Sequence, residues 1–461
     1  MSPSTQMVKE QLYLRYIAPT ERPRAIFAGI EIELPIVNLR REAADFEVVH
    51  DMTRSFAARF GFAADKEDDE GNPLSLTHIG TGDIFTFDCS YNTAEISLGK
   101  VSDLRHADAR LSEYILHIQG FLQKRGHIAA GMGINPRRAY NRCVPIQNGR
   151  YRMLFRHLSS YEKYSNQKRF APYPAFGMFV AASQVQLDVP PGRLLRILRL
   201  FNAIEPYKSV LFANSPLPEA GLLLSRDYLW ANSMQGFNPL NVGAHDPVPD
   251  SVDGLLEYML GADIYCTERG ERYYNFAPLP LREFFARRKV DAEYFDGSGY
   301  RMEAITPVLE DLRYFRTFKF QDLTFRGTIE FRSVCSQPLR ERLAPAAFHL
   351  GLIESLDELE ALLAQNAPPL GQSLPPARLR ERLNRETWPD AIDRAALRKT
   401  LLSILAVARG GLCARGKNEE VFLTPLYARA ERLLSPAREY MGRLSAGEDG
   451  ESLIMDYAAL S

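Results

Sequence analysis

Apolar and polar residues alternate along four segments in the first three quarters of the chain. These segments are AIFAGIEIELPIV (25–37), IFTFDCSYNTAEISL (84–98), ASQVQLDV (182–189) and FRGTIEFRSV (325–334). A period of two residues is typical of a β-strand with one buried face. The alternation therefore predicts strands whose two faces differ in polarity.

Segments with helical periodicity separate these predicted strands. DLRHADARLSEYILHIQGFLQKRG (103–126) has an acidic start and a Lys-Arg-Gly end, and GRLLRILRLFNAIEPYKSVLFAN (192–214) carries leucines at helical spacing. The spacers are too irregular for a repeating strand–helix array. The pattern favours an α+β fold with a mainly antiparallel or mixed sheet.

The chain becomes helical in character from residue 346. One helix is predicted over 346–366, and the proline-rich stretch APPLGQSLPPA (367–377) cannot continue it. Another is predicted over 393–411, with Asp393 as its N-cap and glycines at its end, and a further helix follows Ser435-Pro436. We expect a catalytic domain over 1–366, a connection over 367–378 and a helical region over 379–461 packed on the catalytic domain.

Composition narrows the classes of partner. The 461 residues are 46% hydrophobic, and 56 basic against 57 acidic residues give a formal net charge of -1, so no global field favours nucleic acid or anionic lipid. The apolar run LLSILAVA (401–408) is too short to cross a bilayer. Five scattered cysteines suggest neither disulfides nor zinc, and we assign them no catalytic role. We expect a cytoplasmic protein without nucleic-acid or membrane partners.

Residues two apart on a strand share a face, which places polar groups together on each predicted strand. They are Glu31 and Glu33 on the first, Asp88 and Glu95 around a turn in the second, Gln184, Gln186 and Asp188 on the third, and Glu330 and Arg332 on the fourth. A solvated surface is one interpretation. If the strands are neighbours, their polar faces build an oxygen-rich cleft suited to Mg²⁺ and nucleotide phosphates. The spacing alone leaves both interpretations open.

GLCARGKN (411–418) is one residue away from a phosphate-binding Walker loop, with Asn418 where serine or threonine should stand. A Walker loop follows a strand, whereas this segment follows a predicted helix. We interpret it as a helix-terminating loop.

Eight segments, taken in chain order, resemble the glutamate-cysteine ligase family of the glutamine synthetase-like superfamily, closest to its plant-type and bacterial plant-like members. Four are GIEIE, DCSYNTAEIS, SQVQLDV and TIEFRS from the strands above. The others are GINPRRAYNRCVPIQNGRYRML (133–154), LFANSPL (211–217), SRDYLW (225–230) and GLCARGKNEEVFLTPL with SPA. The resemblance runs from Gly29 to Ala446.

The resemblance implies a cup-shaped, mainly antiparallel sheet wrapped by helices, as in the glutamine synthetase/guanido kinase-like catalytic fold. It implies an ATP-dependent ligase that joins L-glutamate to L-cysteine through γ-glutamyl phosphate, the first step towards glutathione. It also implies two or three Mg²⁺ ions, with Mn²⁺ as the alternative. The implied metal ligands are Glu31, Glu33, Asp88, Glu95, Gln184 and Glu330, the catalytic residues Arg332 and Glu330, and the substrate-binding residues Arg226, Trp230, Arg150 and Tyr151.

Two segments depart from the family pattern and leave the amine acceptor open. They are SVCSQP (333–338), which lacks an aspartate, and WANSMQGFNPLNVG (230–243). The alternatives are a γ-glutamyl ligase for a different amine and a non-catalytic nucleotide- or metal-binding relative. Arg332 has a structural salt bridge as its alternative role, and Arg226 with Trp230 a structural cation–aromatic contact. The sequence makes no prediction of oligomeric state.

Overall fold

The computed structural model describes residues 3–365 and 374–460. The strands in this part of the chain are β1 (Ala28–Asn38), β2 (Ala63–Glu67), β3 (Pro73–Thr77), β4 (Ile84–Phe87), β5 (Thr93–Val101), β6 (His127–Ala129), β7 (Ser183–Asp188), β8 (Val242–Gly243), β9 (Asp263–Arg269), β10 (Arg272–Pro280), β11 (Val290–Phe295), β12 (Tyr300–Ile305), β13 (Phe318–Lys319), β14 (Gln321–Leu323) and β15 (Thr328–Phe331).

The α-helices are α1 (Thr5–Leu12), α2 (Phe46–Phe60), α3 (Leu104–Gln123), α4 (Gly149–Leu158), α5 (Leu194–Phe212), α6 (Ser225–Ala231), α7 (Val252–Gly261), α8 (Leu281–Ala286), α9 (Ala344–Glu354), α10 (Leu356–Gln365), α11 (Pro376–Leu383), α12 (Arg394–Arg415), α13 (Thr424–Arg432), α14 (Pro436–Ser445) and α15 (Gly450–Ala458).

The central sheet has the strand order β14-β15-β7-β1-β5-β4-β3-β2. Strand β6 pairs with the last residues of β1, 36–38, whereas β7 pairs with residues 28–32 of the same strand. The neighbouring strands of this sheet all run antiparallel. A second antiparallel sheet has the order β12-β11-β10-β9, and β8 pairs with β13 in parallel. The predicted α+β fold with a mainly antiparallel sheet is confirmed.

The two faces of the central strands meet different surroundings, as their alternation predicts. Ile30, Ile32 and Leu34 of β1 are buried in the main hydrophobic core, and helix α9 packs behind β1 and β7. Glu31 and Glu33 point to the opposite face, which lines a cleft. Burial of one apolar face thus fixes which side chains remain available for chemistry.

Helix starts follow the predicted capping residues. Asp103 accepts hydrogen bonds from the first-turn amides of α3, and Asp393 does the same for α12. Ser435 caps α14 in the same way. Short polar side chains satisfy amides that have no partner inside the helix, which is why these starts could be identified from the sequence.

The single helix predicted over 346–366 is wrong, because the chain leaves helical geometry at Ser355 (φ -128°, ψ 46°) and forms two helices, α9 and α10. Almost all of α9 is buried, whereas α10 buries only its Leu356 and Leu359 side chains. The break allows the buried helix α9 to be followed by the amphipathic helix α10 at the surface.

The predicted glycine stop at residues 410 and 411 is also wrong, because α12 continues to Arg415 and ends at Gly416, whose φ is 67°. A Cβ built on Gly411 would lie 2.1 Å from the Gly351 carbonyl oxygen, and one on Gly351 would lie 2.1 Å from the Ala408 carbonyl oxygen. Gly351 and Gly411 therefore allow α9 and α12 to cross at very short distance. The Walker-like segment forms this helix end, as predicted.

The proline-rich connection lies partly outside the described residues, which omit 366–373. Helix α11 begins at Pro376 and packs on α5, and α12 packs on α9. The division at 366 and 378 stays a prediction. No helix in the described part of the chain is long and apolar enough to cross a membrane.

Candidate active site

Four adjacent strands, β15, β7, β1 and β5, bring the predicted acidic faces together. Glu31 lies opposite Gln184, and Glu33 lies opposite Glu95. Glu330 lies opposite Gln186 on the other side of β7. The hypothesis that these strands are neighbours is confirmed, and their polar side chains share one surface.

That surface forms the floor of a cleft of about 730 Å³. All the predicted site residues line it: Glu31, Glu33, Asp88, Glu95, Arg150, Tyr151, Gln184, Arg226, Trp230, Glu330 and Arg332. The volume is in the range of clefts that hold small-molecule ligands.

Three carboxylates approach closely enough to share a cation. Ligand oxygens of Glu31, Glu33 and Glu95 all lie within 4.8 Å of one another, the one such group of acidic, histidine or cysteine side chains among the described residues. Asp88 and Glu330 line the same cleft outside this group. Glu33 is fixed in part by the Ala182 amide, which donates to its Oε2 at 2.6 Å.

Gln184 lies beside Glu31 and Glu33 and leaves one oxygen without a donor. Its Nε2 donates to Glu31 and, at 3.1 Å, to Oε1 of Glu33. Its buried Oε1 has no hydrogen-bond partner in the described part of the chain. An unpartnered amide oxygen beside three carboxylates offers the hard oxygen ligands that Mg²⁺ prefers. The donor set therefore fits a magnesium site.

The carboxylates hold protons more tightly than isolated ones do. Burial and the charge of Asp88 raise the pKa of Glu33 to about 8 and that of Glu95 to about 7. Burial and the charge of Glu95 raise the pKa of Glu31 well above its ordinary value. The negative charge of this cluster is thus not balanced by the protein's own cations, and a divalent cation would stabilise the ionised form.

Asp88 lies in the turn between β4 and β5, where the sequence predicts a turn. Cys89 adopts a left-handed conformation with φ 59°, and the Ser90 amide donates to the Asp88 carbonyl. Burial raises the pKa of Asp88, whereas the Arg150 guanidinium opposes that rise. The turn therefore presents Asp88 at the end of the cleft nearest to Arg150.

Glu330 and Arg332 form an ion pair at the end of β15. The Arg332 Nη1 lies 2.9 Å from Oε2 of Glu330, and Gln186 donates to the other Glu330 oxygen at 3.3 Å. Both charged side chains stay partly exposed to the cleft, at 23% and 12%. The salt bridge considered for Arg332, to strand neighbours of Glu330, forms with Glu330 itself instead, and it leaves the guanidinium at the cleft surface.

Arg226 of α6 is buried and donates to main-chain carbonyls. Its Nη1 bonds to the Val334 carbonyl at 3.1 Å, and both terminal nitrogens lie 3.4 Å from the Arg332 carbonyl. Its Nε has no acceptor among the described residues. Trp230 packs between Phe176 and Phe318, with ring centroids 5.5 and 4.4 Å away. Arg226 thus supports the segment after β15.

Helix α4 places Arg150 and Tyr151 at the cleft wall. The Arg150 guanidinium lies 5.5 Å from the Tyr151 ring centroid. The Tyr151 hydroxyl donates to the Phe87 carbonyl at 2.7 Å, which ties α4 to the strand that precedes Asp88. Tyr151 is therefore a buried support, and Arg150 is the charged group that faces the cleft.

Two acidic residues of the cleft, Asp322 and Glu268, were missed by the sequence interpretation. Asp322 on β14 lies opposite Glu330 and accepts a hydrogen bond from Thr317. Burial raises the pKa of Asp322 to about 7, although the Arg332 guanidinium opposes the rise. The available signal was a lone carboxylate in FKFQDLTF, just before the strand of Glu330.

Asp188, the third polar residue on its strand face, lies outside the cleft lining. Arg24 pairs with its Oδ1 at 2.9 Å, and the Phe27 amide donates to Oδ2 at 3.1 Å.

The five cysteines are free thiols, and burial raises the pKa of Cys89 well above its ordinary value. A protonated thiol beside Asp88 is a poor nucleophile.

Comparison with known proteins gives one family. The model of glutamate-cysteine ligase family 2 matches residues 27–457. The chain is 21% identical over 416 residues to chloroplastic glutamate–cysteine ligase B of Oryza sativa subsp. japonica, covering 86% of this chain and 75% of that protein. It is 22% identical over 370 residues to the chloroplastic glutamate–cysteine ligase of Arabidopsis thaliana, covering 78% and 65%.

Among solved structures, the chain is similar to the glutamate–cysteine ligase of Francisella tularensis in complex with AMP. Its sequence is 11% identical, the TM-score is 0.49, and the alignment covers 95% of this chain and 88% of that one. The alignment with the chloroplastic glutamate–cysteine ligase of Brassica juncea covers 78% of this chain and 66% of that protein.

Proposed function

Because the chain belongs to glutamate-cysteine ligase family 2 and is a ligase of that family, we propose that it forms γ-glutamylcysteine from L-glutamate and L-cysteine, with ATP converted to ADP and phosphate. The observation that carries the proposal is the convergence of four polar strand faces, three of them acidic, with Arg150, Arg226 and Arg332 in one cleft. Such a cleft can hold two anionic substrates side by side, provided that their charges are neutralised.

The proposed reaction has two steps. An oxygen of the glutamate γ-carboxylate attacks the γ-phosphorus of ATP, the bond to the bridging oxygen breaks, and ADP leaves from γ-glutamyl phosphate. The amine then attacks the acyl carbon, phosphate leaves, and the amine proton passes to solvent. Phosphoryl transfer depends mainly on positioning and electrostatic stabilisation, so the protein needs no covalent intermediate of its own.

We assign the acidic floor to magnesium. Glu31, Glu33 and Glu95 with Gln184 would hold one ion. Asp88 and Glu330 would be ligands of the further ions that the family resemblance implies. Bound Mg²⁺ would neutralise the phosphate oxygens and the attacking carboxylate. The unpartnered Oε1 of Gln184 supports this assignment independently of any relative.

We assign the arginines to the substrates. Arg332 would clamp the transferring phosphoryl group, because its planar fork suits paired oxygens and it faces the cleft beside Glu330. Arg226 and Trp230 line the same cleft, and Arg226 would contact a glutamate carboxylate. Arg150 would balance charge near Asp88. Tyr151 supports α4 and would act through Arg150.

The test is ADP formation from ATP, L-glutamate and magnesium with a panel of amines, together with mass detection of the product. We expect cysteine to give the highest turnover and γ-glutamylcysteine as product. Turnover with another amine but none above buffer with cysteine would identify a γ-glutamyl ligase of different specificity, which residues 230–243 and 333–338 leave open. Absence of ADP formation with every amine would indicate a non-catalytic relative.

The cellular compartment stays a prediction. The free cysteines agree with the expected cytoplasm. Fractionation of cells that produce the natural protein would test it.

A further inference from the structure

A buried arginine outside the cleft connects the segments that carry Arg226 and Arg332. Arg380 belongs to α11, and its side chain is 2% exposed. Its Nη1 donates to the carboxylate and the carbonyl of Glu205 on α5, at 2.9 and 2.8 Å. Its Nη2 donates to the Ser333 carbonyl at 3.2 Å. One guanidinium thus joins three parts of the fold.

Arg380 completes a row of arginine contacts to consecutive carbonyls. The carbonyls of Arg332 and Val334 accept from Arg226, and the Ser333 carbonyl between them accepts from Arg380. The two arginines therefore hold the backbone that leaves β15 from two directions. This backbone fixes where the Arg332 side chain enters the cleft.

The same guanidinium also holds the helix of Arg226. Its Nε and Nη2 donate to both oxygens of Asp227, at 2.6 and 3.2 Å, and Asp227 directly follows Arg226 in α6. Asn384 adds a bond to Asp227 at 2.8 Å. Moving Arg380 would therefore displace helix α6, which carries Arg226, and the backbone after β15, which carries Arg332.

We infer that Arg380 is a positioning residue that sets the geometry of Arg332 and Arg226 for phosphoryl transfer; this inference rests on the proposed function. The contacts require arginine, because five donors in a rigid plane serve two carboxylates and two carbonyls at once. Its guanidinium carbon also lies 4.5 Å from the Phe320 ring centroid. A lysine has one compact ammonium group and cannot meet all these acceptors.

Arg429 offers a matched control. It is also a buried arginine of the C-terminal helices, and it donates to the Leu211 carbonyl, to Gln337 and to Glu341. These three partners lie outside the cleft lining. Arg380→Lys and Arg429→Lys should therefore cost comparable stability and differ only in their effect on the site.

The experiment compares kcat and KM for ATP and glutamate in the wild type and both variants, below the melting temperature of each. A displacement of about 1 Å at a reacting group can cost about 100-fold in rate. We expect Arg380→Lys to lower kcat about 100-fold and to raise KM for glutamate with little change in KM for ATP, and Arg429→Lys to keep kcat and both KM values near wild type. Equal losses in both variants, or none in Arg380→Lys, would overturn the inference.

Hydrogen exchange separates this inference from the proposed function. The amides of peptide 328–334 should exchange faster in Arg380→Lys than in Arg429→Lys, even if the wild type forms no ADP. Asp227→Asn, at a partly exposed position, should show the same acceleration if Arg380→Lys does not fold. An inactive wild type would refute the ligase proposal alone, whereas unchanged exchange in peptide 328–334 would refute the positioning role.

Discussion

The glutamates of the cleft floor lie where a folded protein pays a large electrostatic penalty. Glu31, Glu33 and Glu95 repel one another at short range, and burial adds to the cost of their charge. Apolar residues would fill the same positions with less loss of stability. The presence of buried carboxylates at these positions is explained if a cation and an anionic substrate complete the site.

Buried histidines make a pH-dependent contribution to the unfolding free energy of the protein. His157 stacks on Tyr265 with ring centroids 3.8 Å apart, and burial lowers its pKa to about 3. Burial also lowers the pKa of His245 to about 3. Unfolded histidine binds a proton below about pH 6.5, whereas these folded ones do not, so the contribution of each of these histidines to the unfolding free energy falls as the pH drops.

We predict that His157→Gln weakens this dependence. At about pH 5, the loss for one such histidine is about 2 kcal/mol of unfolding free energy relative to neutral pH. Denaturant titrations at several pH values between neutral pH and pH 5 give the slope of the unfolding free energy against pH. This slope should be lower for His157→Gln than for the wild type. His106→Gln, at an exposed position, is the control. Identical slopes for wild type and His157→Gln would contradict the prediction.

At the scale of elements, strands were easier to predict than helix ends. Alternation identified β1, β5, β7 and β15, because one apolar face must be buried wherever the strand lies. Capping identified the starts of α3, α12 and α14, because it depends on local residues only. The end of α12 could not be found, because Gly411 inside this helix serves contact with α9, which is distant in sequence.

This crossing gives a prediction in α9 with its control in the partner helix α12. Gly351→Ala should lower the unfolding free energy by about 1–3 kcal/mol or more, because its Cβ would meet the Ala408 carbonyl oxygen. Gly410→Ala has open space around its Cβ and should raise stability by about 0.5–1 kcal/mol. Thermal or denaturant unfolding measures both. A neutral Gly351→Ala would show that the two helices can separate without cost.

At the scale of the whole molecule, the sheet order creates the site. The sequence could indicate which faces are polar, but not that β7 lies between β15 and β1, since strand order depends on pairing across long separations. The family resemblance supplied the grouping, and the registers support it. Asp322 and Arg380 were missed, because Asp322 is a single acid on a three-residue strand and Arg380 lies in a helix with no motif.

The most direct test of the central claim is calorimetric binding of a non-hydrolysable ATP analogue, measured with magnesium and with EDTA. We expect magnesium to strengthen binding at least about 10-fold, and Glu95→Gln to remove most of this gain. Glu303→Gln, outside the cleft lining and bonded to Tyr274, should behave as the wild type. Equal affinity with magnesium and with EDTA in the wild type would contradict the account of the acidic floor as a magnesium–nucleotide site.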